Sequence, residues 1–105
     1  MKKHFMCTHT FHNEEAEKAF DDAASGMNLE KMFAMMKNDR AEMIGHWRGD
    51  DEFFYCHWYA ESSDAIIDTL DSLGFGELMM TLPNEMRGFI DINGDLTKTY
   101  AEALN

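Results

Sequence analysis

Proline occurs once, at Pro83, cysteine twice, at Cys7 and Cys56, and basic residues number nine against twenty acidic ones. Each scarcity excludes something. Two cysteines in 105 residues fall short of a disulfide scaffold, so both are read as reduced thiols. A net charge of −11 repels polyphosphate and anionic lipid, so neither a nucleic-acid nor a membrane partner is expected. No stretch approaches the roughly 18 consecutive apolar residues of a membrane span. The opening MKKHFMCTHTFH is interrupted by His and Thr where a secretory signal needs a continuous apolar run, and a cytoplasmic protein is the expectation. No Gly-rich phosphate loop is present: Gly74-Phe75-Gly76 follows a predicted helix, whereas a dinucleotide site needs such glycines after a strand. A nucleophile motif is also missing.

Apolar residues make up 45% of the chain and aromatic ones 12%, enough for one real core, so residues 1–105 are expected to form a single domain. Ten methionines and five histidines are high counts for this length. Methionine fills irregular gaps, which fits either a soft core or an accommodating cavity.

The stretch EFFYCHWYA, residues 52–60, organises the rest. As a strand it sends Phe54, Cys56, Trp58 and Ala60 to one face and Phe53, Tyr55, His57 and Tyr59 to the other. Both faces carry large apolar groups. Helices on one side only would leave Phe53, Tyr55 and Tyr59 wet, forgoing roughly 1.5–3 kcal/mol of burial each. A second copy of the chain is the expected cover.

Residues 3–12 read as a first strand with Phe5, Cys7, His9 and Phe11 on the helix-facing side and His4, Met6, Thr8, Thr10 and His12 opposite. Asn13 is placed to cap a helix with Glu14 and Glu15 in its first turn. Asn28 opens a second helical run striped by Leu29, Met32, Phe33 and Met36. A strand over residues 42–48 then turns through Gly49-Asp50-Asp51-Glu52 into the central stretch, giving a hairpin. Ser62 or Ser63 caps the next helix, which buries Ile66, Ile67, Leu70 and Leu73 and stops at Gly74. The fourth strand is read either at residues 78–82, ended by Pro83, or at 87–92. The tail, residues 93–105, has loosely helical spacing of Leu96, Tyr100, Ala103 and Leu104, suited to packing on a neighbour.

The order is βαββαβ. It predicts an α+β ferredoxin-like sandwich, with a four-stranded antiparallel sheet, the first and third strands central, and helices on one face. The strand THTF (Thr8 to Phe11), the hairpin into FYCHWYAES (Phe54 to Ser62) and the helix DAIIDTLDSLG (Asp64 to Gly74) resemble small single-domain members of the dimeric α/β-barrel superfamily. That group also includes antibiotic-biosynthesis-type monooxygenases and a nickel-binding type. Over about residues 3–92 the resemblance implies a homodimer whose open sheet faces pack into an α/β barrel.

Three functions follow as expectations. The favoured one is a homodimer binding a small molecule, because the histidines lack orienting carboxylates nearby in sequence and no activated nucleophile is visible. The second, implied by the resemblance, is monooxygenase-like activity on a small aromatic substrate without metal or organic cofactor, the substrate's own carbanion reacting with oxygen. A base, a hydrogen-bond donor and an apolar pocket would suffice. His57 or His9 would be the base and Tyr55 or Tyr59 the donor, with Phe33, Phe54, Trp58 and Tyr59 against the ligand. An interface role for His57 explains the same residues. The third is a transition-metal site of Cys7, His9 and Cys56, whereas alternation turns His12 and His57 to the other face. In the tail, Asp91, Asn93, Asp95 and Glu102 match positions 1, 3, 5 and 12 of a calcium loop, but Leu96 replaces its turn glycine. An Asn93-Gly94 turn with a cap at Asp95 accounts for the same letters.

Overall fold

The computed structural model describes residues 1–104. Its elements run β1 (Lys3–Phe11), α1 (Glu14–Ala24), α2 (Leu29–Met35), β2 (Ala41–Arg48), β3 (Phe53–Ala60), α3 (Ser63–Ser72), a 3-10 turn (Phe75–Glu77), β4 (Met79–Glu85) and α4 (Tyr100–Leu104). The strands form one antiparallel sheet in the order β2-β3-β1-β4, an α+β architecture consistent with a ferredoxin-like sandwich. No helix among the described residues is long and apolar enough to cross a membrane.

The helix starts lie where short polar side chains can replace missing backbone partners. Asn13 Oδ1 accepts from the Ala16 N–H at 2.8 Å, Asn28 Oδ1 from Lys31 at 2.9 Å, and Ser62 Oγ from Ala65 at 3.1 Å. Gly74, at φ 86°, follows the last residues of α3 in the left-handed conformation that stops a helix. Phe5, Cys7, Met43, Cys56, Trp58, Ala60, Ile66 and Leu70 form the core between sheet and helices, with Trp58 and Ile66 fully buried.

Three sequence expectations are corrected. The fourth strand is Met79–Glu85 and runs through Pro83; residues 87–92 are not a strand. β4 pairs only with β1, and an edge strand has one unpaired flank on which a missing N–H costs little. β1 ends at Phe11, and the His12 ring turns to Gly76, with Nε2 3.1 Å from its carbonyl oxygen, so His12 does not join His57. In the tail, the Asn93 N–H donates to Asp91 Oδ1, the Thr97 N–H and hydroxyl donate to Asp95 Oδ1, and Thr99 with Glu102 makes a reciprocal helix cap. The cap is thus at Thr99, not Asp95, and local turns already occupy the acidic side chains of the supposed calcium loop.

β2 carries an irregularity of its own. Strict alternation from Met43 would turn His46 and Arg48 away from the helices, but a bulge shifts the register between Met43 and Gly45. Beyond it His46 pairs with Cys56 and Arg48 with Phe54, both helix-facing, while Gly45 and Trp47 pair with His57 and Tyr55 on the open face. One extra residue moves two polar side chains over the core.

Candidate functional site

Between sheet and helices the core leaves a cavity of about 360 Å³. Met43, Phe54 and Trp58 line its sheet side, Phe20 and Met32 its helix side, and Phe75 and Met79 also border it. Phe20 lies tilted against two further rings, its centroid 5.4 Å from that of Phe11 and 5.6 Å from that of Phe75. The wall is almost wholly apolar.

Its polar groups are few and arise from definite positions. His9, on β1 opposite Phe54 and stacked on that ring at 4.9 Å, is 1% exposed. Its Nδ1 lies 2.8 Å from Thr81 Oγ1 on β4, and its Nε2 has no partner among the described residues. Burial, assisted by the neighbouring His46, pushes the His9 pKa from its ordinary 6.5 down to about 4, so the ring is neutral at pH 7. His46 Nδ1 lies 3.2 Å from Cys56 Sγ, and burial, then Arg48, also lowers its pKa. Burial holds Cys56, and Cys7 opposite it, as thiols, with pKa values pushed up to about 12. The second buried group without a partner is Trp58 Nε1. Two such nitrogens in one lining are unusual, since each ordinarily costs about 1–3 kcal/mol.

Arg48 stands at the edge of the cavity. Its guanidinium donates to Asp21 Oδ1 at 2.9 Å and Oδ2 at 3.2 Å, and to Glu17 Oε2 at 2.9 Å, tying β2 to α1. It also lies over aromatic rings, 5.0 Å from the Phe11 centroid and 5.5 Å from that of Phe54.

The sheet divides the candidate residues read from the sequence. His9, Phe54 and Trp58 line the cavity, and Phe33 packs on the adjoining core without lining it. His57, Tyr55 and Tyr59 project from the opposite face. There His57 Nε2 lies 2.9 Å from His4 Nδ1, and burial together with that neighbour lowers the His57 pKa. A base at His9 therefore cannot work with a donor at Tyr55 or Tyr59 of the same chain. Cys7, His9 and Cys56 share the helix-facing side, yet among the described residues no three His, Cys, Asp or Glu side chains converge as a metal site. His46, Arg48 and Asp21 were missed by strand and helix periodicity, and the one available signal was Gly45, since an interior strand glycine often marks a bulge.

Comparison of the chain with protein-family models, curated proteins and solved structures finds no match.

Proposed function

We propose that the protein is a homodimer that binds a small, largely apolar molecule in the cavity of each subunit. The observation that carries the reading is the cavity itself. An engineered apolar cavity of about 150 Å³ holds benzene, so by proportion about 360 Å³ suits some fourteen non-hydrogen atoms, a two-ring compound.

Binding is favoured over oxygenase chemistry because of His9. A phenolic proton near pKa 10 would move to an imidazole near pKa 4 against a gap of about 6 units, about 8 kcal/mol uphill. Such a ring serves as a hydrogen-bonding partner and is a poor base.

A second copy is the proposed cover for the open sheet face, completing an α/β barrel. Trp47, Phe53, Tyr55, Tyr59, Met80 and Leu82 are all more than a third exposed there. Among the described strand residues on that face Glu42 alone is charged, and Lys37 Nζ matches it at 3.7 Å. Lys2 Nζ also lies 5.9 Å from the Tyr59 centroid, so the acidic excess of the chain lies away from this face, which lessens the repulsion between two copies meeting there. A foreign partner would more often be chosen by charge complementarity, which the face lacks.

The test is twofold. Light scattering at micromolar concentration is expected to give the dimer mass, and 2-naphthol is expected to bind one per subunit by isothermal titration calorimetry at pH 7. A monomer overturns the first half, and the absence of any heat or thermal shift with naphthol overturns the second.

A further inference from the structure

The charge arrangement at the cavity edge bears on which ligands enter. Among the described residues Arg48 is the only cation in the lining, and it is already matched by two carboxylates, Asp21 beside it in the lining and Glu17 on the outer side. The three groups together carry one net negative charge. Both cavity imidazoles are neutral at pH 7 and the thiol of Cys56 is protonated, so no positive charge is left to receive an anion. An entering carboxylate would shed its water against apolar walls and meet only a guanidinium that Asp21 and Glu17 already occupy. The chain's −11 adds long-range repulsion. A cation fares no better inside: the same burial that keeps His9 unprotonated opposes any ammonium placed beside it.

We propose that the Glu17-Asp21-Arg48 cluster makes the cavity selective for uncharged aromatic ligands carrying a hydroxyl group, and that these residues determine specificity by denying Arg48 to acids. The proposal rests on the cavity being a ligand site. A hydroxyl suits a lining in which His9 and Trp58 each carry a buried nitrogen with no partner among the described residues, because it serves in either direction: a small shift of the lining would let it donate to His9 Nε2, when Nδ1–H donates to Thr81, or accept from Trp58 Nε1–H. A carboxylate only accepts. Arg48 keeps its geometry through Asp21 and Glu17 on one side and the rings of Phe11 and Phe54 below it, so releasing it requires removing those carboxylates.

Three compounds of one shape separate the alternatives: 2-naphthol, uncharged at pH 7; 2-naphthoate; and 2-naphthylmethylammonium. Calorimetric titration of the full chain at pH 7 is expected to show naphthol binding at least tenfold more tightly than either ion. In Glu17→Gln/Asp21→Asn, which removes both countercharges of Arg48 without changing side-chain size, the deficit of naphthoate relative to naphthol is expected to shrink at least tenfold. Naphthoate or the ammonium binding the unmodified protein as well as naphthol overturns the selectivity and leaves the ligand site standing. Failure of all three to bind overturns both. Should the double variant unfold, as read by circular dichroism, Glu17→Gln and Asp21→Asn singly carry the same comparison, and a naphthoate deficit unchanged in the folded variants overturns the role of the cluster.

Discussion

Lowering the pH from 7.5 to 4 perturbs one cavity group in a calculable way. The His9 pKa falls from 6.5 in the unfolded chain to about 4 in the fold, because the ring is closed off among Phe54, Thr81 and the core. The folded state therefore binds fewer protons than the unfolded state between those values. Its contribution is complete above about pH 6.5 and is lost progressively as pH falls toward 4. A shift of about 2.5 units corresponds to about 3 kcal/mol. With an unfolding entropy near 2.1 cal/mol/K per residue, that loss lowers the melting temperature of a 105-residue chain by about 14 °C. Carboxylates titrate over the same range, so the assay compares melting curves of the wild type with those of His9→Gln, whose amide can still bond Thr81 but does not titrate. The wild type is expected to lose about 10–15 °C more than the variant between pH 7.5 and 4. Equal losses in the two proteins would show that His9 takes up protons in the fold as freely as in water, and both the neutral cavity and the argument against a His9 base would fall.

Tyr55→Glu places a carboxylate in the centre of the proposed dimer contact, and light scattering is expected to show the dissociation constant raised at least about 100-fold, with circular dichroism unchanged. Burial and His4 already lower the His57 pKa in the single chain; closing the proposed dimer over that face would bury the ring further and lower it more, so acidification below about pH 6.5 is expected to weaken the dimer, and His57→Gln to flatten that dependence in sedimentation at pH 5 and 7.5. Ala24→Phe fills the cavity from α1 and is expected to abolish naphthol binding in calorimetry while destabilising the fold by no more than about 1–3 kcal/mol in chemical denaturation. In an oxygen electrode, phenols and quinols are expected to give no uptake above blank. Uptake lost in His9→Ala or His57→Ala would favour the oxygenase reading instead.

The neighbouring residues Trp58 and His57 show how far the sequence reaches. Their alternation alone assigns one to the core and the other to the open face, since a strand's period of two admits no other arrangement, and the structure buries Trp58 fully while His57 meets His4. The caps at Asn13, Asn28 and Ser62 and the stop at Gly74 were legible for a similar reason: each satisfies a backbone need within four residues of itself. Pro83 marks where local reading ends, because a proline breaks an interior strand but is tolerated on an edge, and edge position is a property of the whole sheet. The cavity lies further still from the sequence. Its apolar walls come from residues already expected in the core. Whether those residues close on one another or leave a space depends on how α1, α2 and the 3-10 turn settle over the sheet. The bulge at Met43–Gly45 decides that His46 and Arg48 join them, and the fold alone brings Arg48 of β2 to Asp21 and Glu17 of α1, more than 25 residues away in the chain. Local chemistry determined the elements and their faces. Only packing between distant elements, where a one-residue shift reverses a side chain's side, determined the site.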